Sequence, residues 1–141
     1  VGMLAVPDEV LLKTDPLTED DWDSIRSHAA NGFELIAEAV HEDVADAVLS
    51  HHEQMDGEGY PRGLAGTDIP LFARVVLVAD AYDAMVSDRP HRASMTSEEA
   101  ISELRAHAGT RFDGEVVEAM IEVDRQMNTS AEILQFPDKT G

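Results

Sequence analysis

The sequence predicts an all-α fold, a bundle of about five helices interrupted by one long Gly/Pro-rich loop. Three observations carry this. Apolar residues recur at helical spacing in successive segments, Thr and Asp stand before acidic stretches as helix caps do, and no run alternates with the period of two that a half-buried strand needs. The chain's 141 residues match one domain, and 43% hydrophobic residues suffice for a core.

Thr18 followed by Glu19, Asp20 and Asp21 marks the first helix start, with a hydroxyl cap and acids facing the positive helix end. Trp22, Ile25, Ala29, Gly32, Phe33, Ile36 and Val40 follow at helical spacing, predicting a single helix through this stretch. A second helix is expected from about Asp43 to Glu53, with Val44, Val48 and Met55 on one stripe. Between Asp56 and Pro70 the pattern collapses into DGEGYPRGLAGTDIP, which holds four of the nine glycines. A loop of that length inside a compact domain is usually functional or disordered. The third helix spans about Pro70 to Val86, with Phe72, Val75, Val76, Ala79, Tyr82 and Val86 as its core stripe. Thr96-Ser97-Glu98-Glu99 reads as a capping box opening a fourth helix that stops near Gly109. Asp113 caps a fifth, carrying Val116, Val117, Met120 and Ile121, and from Asn128 the periodicity is lost and a tail is expected.

Charge excludes one large class. Ten Lys and Arg against 29 Asp and Glu leave a net −19, so no basic footprint exists for DNA or RNA. A small phosphate ligand needs only two or three local cations. The absence of cysteine removes disulfides, thiolate catalysis and Cys-ligated zinc. No apolar run approaches the roughly 18 residues of a membrane span, and no secretory signal opens the chain, so a cytoplasmic location without membrane contact is expected. Lysine occurs only at Lys13 and Lys139, a bias that halophilic adaptation or simple solubility would each explain.

Polar residues that interrupt apolar faces point to chemistry. On a helical wheel His51 and His52 fall in the half-turn of Val44 and Val48, which predicts half-burial. A hydrogen-bonded core role and metal ligation are both open, and Glu53 and Asp56 nearby favour metal. Asp80 flanks the third stripe and Asp83 falls within it, where a carboxylate must be paired, hydrogen-bonded or metal-bound. His28 stands at the margin of the first stripe, as an ordinary boundary histidine could. His52-Glu53-Gln54-Met55-Asp56 fails the zinc-peptidase pattern HExxH at its last position.

The run HHEQMDGEGYPRGLAGTDIP, followed by VADAYDAMVSDRP, resembles the HD-GYP family, metal-dependent phosphodiesterases of bacterial cyclic di-GMP within the HD phosphohydrolases. IRSHAANG and GTRFD extend the likeness from Val1 to about Val123. The resemblance implies an HD-domain-like helical bundle, with residues 1–124 as the C-terminal part of such a domain and 125–141 as the last helix end and tail. It implies that His28, His51, His52 and Asp80 bind a two- or three-ion centre of Fe or Mn. Arg89 and Arg92 match cations that hold substrate phosphates. Asp56, Gly57, Gly59, Tyr60 and Pro61 match the signature loop, which shapes the site and meets partner signalling domains such as GGDEF-type domains. The implied reaction opens cyclic di-GMP to the linear dinucleotide, which some members cut to GMP.

Three departures bear on activity. The family's His-Asp pair and preceding helices match nothing here, so the expectation is a truncated domain, weakly active or inactive alone, with an uncovered apolar face that promotes homodimers. Met3 stands where a phosphate-contacting Lys is usual, and His91 where Tyr is usual. The competing expectation is therefore a non-catalytic module that binds cyclic di-GMP or docks a partner through the Gly-Tyr-Pro loop.

Overall fold

The computed structural model describes residues 2–88 and 93–134. Arg89, His91 and Arg92 lie outside the described residues. The α-helical segments are α1 (Asp8–Leu11), α2 (Glu19–Arg26), α3 (His28–Ile36), α4 (Glu42–Ser50), α5 (Leu71–Val86), α6 (Ser97–Ala106) and α7 (Gly114–Leu134), with 3-10 turns at Gly2–Ala5 and Gly66–Asp68. The all-α prediction holds: among the described residues there is no strand, only isolated bridges between His52 and Tyr60 and between Ala108 and Phe112. No described helix is long and apolar enough to cross a membrane.

The predicted Thr96 capping box forms, and the predicted Thr18 cap also closes a box. Thr18 Oγ1 accepts from the Asp21 N–H at 3.3 Å while Asp21 Oδ2 accepts from the Thr18 N–H at 2.7 Å. Thr96 and Glu99 exchange the same pair at 3.2 and 2.8 Å. Asp113 Oδ1 accepts from the Glu115 N–H at 2.8 Å, and Asp113 Oδ2 pairs with Arg74 Nη1, tying the start of α7 to the first turn of α5.

Four expectations are corrected. The helix expected from Thr18 to about Val40 is two segments that break at Ser27, whose hydroxyl donates to the Ser24 carbonyl at 2.7 Å and competes with the regular ladder. The second helix ends at Ser50, so His51 is its C-cap, and His52 and Met55 belong to the loop. On α5, Tyr82 and Val86 of the expected stripe pack against the core, but Phe72, Val75 and Val76 are more than 40% exposed, and the buried residues are Ala73, Leu77, Val78 and Met85. Asp83 accordingly faces out, accepting from the Ser87 hydroxyl at 3.3 Å. This helix is apolar on nearly every side, so periodicity alone could not choose its buried face. Finally, α7 continues through Asn128 to Leu134, where a tail was expected.

The core joins α5, α6 and α7 through Leu77, Val78, Met85, Ala100, Ile101, Leu104, Phe112, Val117 and Ile121. On the other side of α5, α4 packs against both α5 and α3, and the 3-10 turn at Gly2–Ala5 covers α3. Gly2 permits that contact: a Cβ there would lie 1.8 Å from the His28 carbonyl oxygen.

Candidate metal centre

His28 opens α3, immediately after the break at Ser27, and is buried beneath the Gly2 turn. His51 caps α4 and His52 begins the loop. The three imidazoles converge: His28 Nε2 lies 3.1 Å from His51 Nε2 and 3.1 Å from His52 Nε2. One ligand nitrogen from each falls within a 4.8 Å cluster.

The tautomers give this cluster its chemistry. His28 Nδ1 donates to the Ile25 carbonyl, and His51 Nδ1 donates to the Val48 carbonyl at 2.6 Å. A carbonyl oxygen only accepts, so each Nδ1 carries a proton, and in the neutral ring each Nε2 then presents a lone pair. Two lone pairs facing each other at 3.1 Å repel unless a positive centre shares them. Metal-ligating histidines are oriented in this way, with the second ring nitrogen donating to a fixed acceptor. Burial lowers the affinity of His51 for protons, and burial together with the neighbouring His51 and His28 pushes His52 down to about 3. Neutral rings are what a divalent ion requires.

Asp80 lies outside the tight nitrogen cluster but lines the same cavity of about 360 Å³, with Gly2, Met3, Ile25, Val48 and Tyr60. Its charge also acts on His51 and Tyr60. The donor set, three imidazoles beside a carboxyl group, fits a transition metal of the Mn, Fe or Zn type. Arg89 and Arg92 fall outside the described residues, so the structure does not place them.

The loop after His52 is built around Glu53, and neither Glu53 nor Asp56 belongs to the cluster of ligand atoms. Glu53 is 1% exposed, and its carboxylate turns away from the imidazoles to accept from the Arg62 N–H at 2.7 Å and the Leu64 N–H at 2.9 Å. Asp56 is exposed and caps its own turn, accepting from the Glu58 N–H at 3.0 Å. Gly57 takes φ +81°, which an L side chain rarely adopts. Gly59 is required by closeness, because a Cβ there would meet Gln54 N at 2.4 Å and His52 O at 2.5 Å.

That close approach lets the Tyr60 N–H donate to the His52 carbonyl at 3.2 Å and stacks the two rings, with centroids 4.7 Å apart and planes 25° apart. Pro61 follows through a cis peptide bond. Sequence reasoning placed Tyr60 in a signature loop but not against a ligand ring. No signal short of the loop's closure could have shown that contact.

Comparison with known proteins identifies the family and the fold. The profile of the family described as "HD domain" matches residues 1–116. The cyclic di-GMP phosphodiesterase response regulator RpfG of Xanthomonas campestris pv. campestris is 42% identical over 124 residues, which are 86% of this chain and 33% of that protein. A cyclic di-GMP phosphodiesterase of Thermotoga maritima is 36% identical over 130 residues, covering 90% and 35%. The 3'3'-cGAMP-specific phosphodiesterase 2 of Vibrio cholerae is 33% identical over 125 residues, covering 86% and 24%. The chain thus spans about a third or less of the length of these relatives. A crystal structure of a V. cholerae cyclic GMP-AMP-specific phosphodiesterase shares the fold, at TM-score 0.62 and 23% identity, over 97% of this chain and 38% of that one. With its profile match, its relatives and its His51-His52 to Gly59-Tyr60-Pro61 run, this chain belongs to the HD-domain family, in the HD-GYP group.

Proposed function

We propose that this chain carries the metal-binding part of a phosphodiesterase that hydrolyses cyclic di-GMP to the linear dinucleotide, in cytoplasmic signalling. The observation that carries the reading is the convergence of three Nε2 atoms, two of them held as lone-pair donors by carbonyl-bound Nδ1 protons. The names of relatives up to 42% identical support the substrate class. His28, His51, His52 and Asp80 would hold Fe or Mn. Such ions, when bound, supply Lewis acidity at a phosphoryl oxygen and a water that ionises near neutral pH.

The chain's own residues then have separable tasks. The carbonyls of Ile25 and Val48 orient the rings of His28 and His51, Tyr60 stacks on His52 and limits its rotation, and Asp80 brings a negative charge to the cavity. Arg89 and Arg92 would hold substrate phosphates. The loop carrying Asp56, Gly57, Gly59, Tyr60 and Pro61 would meet partner signalling domains of the GGDEF type. The exposed Leu71, Phe72, Val75 and Val76 of α5 would support a homodimer.

The second reading is a module that binds cyclic di-GMP without hydrolysing it. It is favoured by a cluster of three histidines, few donors for a complete two-ion centre among the described residues, and by the neutral Met3 in the cavity wall. The deciding experiment combines elemental analysis of chelator-free protein with turnover of cyclic di-GMP in added Mn²⁺ or Fe²⁺. Bound metal with turnover supports the phosphodiesterase, dinucleotide binding without turnover supports the module, and neither metal nor binding overturns both. A panel including 3'3'-cGAMP tests the choice of dinucleotide.

A further inference from the structure

The residues joining α6 to α7 are fastened to the histidine-bearing loop. The Asp56 N–H donates to the Thr110 carbonyl at 2.8 Å, and the Met55 N–H to the Arg111 carbonyl at 3.4 Å. The Arg111 guanidinium lies over the ring of Phe112, 5.2 Å from its centroid, and Phe112 is fixed in the core at 3% exposure. Arg111 lines a cleft of about 250 Å³ with Ala81, Ala84 and Met85 of α5. Asp80, the residue before Ala81, lines the histidine cavity, so the two hollows adjoin on one helix.

In so acidic a chain, the state of this cation stands out. Lys13, Arg26, Arg74, Arg105 and Arg125 each face a carboxylate, and Arg62 holds the Ser50 hydroxyl. Among the described residues Arg111 makes no ion pair, although Glu103 lines the same cleft, its carboxylate 3.6 Å from His107 Nδ1. A guanidinium on an aromatic face, bound in no ion pair and beside a metal-type cavity, suits bidentate contact with phosphodiester oxygens.

We infer that Arg111 is a substrate-binding residue, holding the phosphodiester of a cyclic dinucleotide that does not occupy the histidine cavity. The inference rests on the phosphodiester-binding reading above. A cyclic dinucleotide carries two anionic phosphodiesters, and in a chain of net charge −19 Arg111 would add a cation for one of them to those proposed above for Arg89 and Arg92.

The test is binding of cyclic di-GMP to the full chain in Mn²⁺, by calorimetry, for the wild type, Arg111→Gln, Arg111→Lys and Arg105→Gln. Arg105→Gln removes the same unit of charge at an exposed position outside both hollows. Loss of one charge-assisted contact should weaken binding about 10- to 100-fold in Arg111→Gln. Arg111→Lys should be intermediate, and Arg105→Gln should match the wild type. Metal content and unfolding temperature of Arg111→Gln should stay at wild-type values, which a merely structural arginine would not allow. Wild-type binding with unchanged affinity in Arg111→Gln, or an equal loss in Arg105→Gln, overturns the inference and leaves the wider reading standing. Absence of wild-type binding overturns both.

Discussion

Replacing Glu53 tests whether the Gly-Tyr-Pro loop is organised by a buried acceptor rather than by metal. Its carboxylate accepts two backbone N–H bonds, from Arg62 at 2.7 Å and Leu64 at 2.9 Å, at 1% exposure. A hydrogen bond to a charged group contributes roughly 1.5–3 kcal/mol, and a buried donor left without an acceptor costs a similar amount. Glu53→Gln keeps the shape and one acceptor but turns an NH₂ group toward a backbone N–H, so it should destabilise by about 2–3 kcal/mol. Glu53→Ala orphans both amides and empties the site, and should cost about 4 kcal/mol or more. Urea unfolding followed by circular dichroism reads both values. Hydrogen exchange adds a local readout, since the Arg62 and Leu64 amides should lose protection before the core of α5 to α7. If Glu53→Gln unfolds within about 0.5 kcal/mol of the wild type, the carboxylate does not organise the loop. If it instead keeps its stability and loses bound metal, Glu53 belongs with the ligands, and the assignment made from its orientation is wrong.

His28→Ala removes the imidazole whose Nε2 lies 3.1 Å from both others, and should reduce Mn²⁺ or Zn²⁺ affinity about 100-fold or more, read by competition with a chromogenic chelator. Gly59→Ala places a Cβ 2.4–2.5 Å from the backbone of residues 52–54, where nothing can rotate aside, so about 1–3 kcal/mol of stability and the His52–Tyr60 stack should be lost together, the latter seen as a changed Tyr60 environment by near-ultraviolet circular dichroism. At Asp113 burial works to raise the pKa, but the Arg74 hydrogen bond and the Glu115 and Val116 N–H groups outweigh it, holding the carboxyl below its usual 3.8. The stability this gives is full above the unfolded value and is lost as pH falls through the lower folded one, so acid titration of unfolding should show a loss below about pH 4 that is reduced in Asp113→Asn. At neutral pH the same substitution breaks a largely buried pair and should cost about 3 kcal/mol.

Local chemistry accounts for what sequence alone determined. The Thr18 cap, the Thr96 capping box, the Asp113 cap, the glycine-rich loop and the all-helical class depend on residues within a few positions of each other, and all are present in the structure. The His51-His52 pair was readable as half-buried chemistry, although those residues cap and leave a helix instead of continuing it. Tertiary structure decided the rest. The break at Ser27 left the spacing of apolar residues almost undisturbed, and so was invisible to periodicity. The buried face of α5 was set by α4, α6 and α7 competing for a helix apolar on nearly every side. The meeting of His28 with His51 and His52, the turning of Glu53 into its loop and the placing of Arg111 beside the cleft all join residues from separate segments. Only the packing of those segments fixes which lone pair faces which, and composition and spacing carry no record of that.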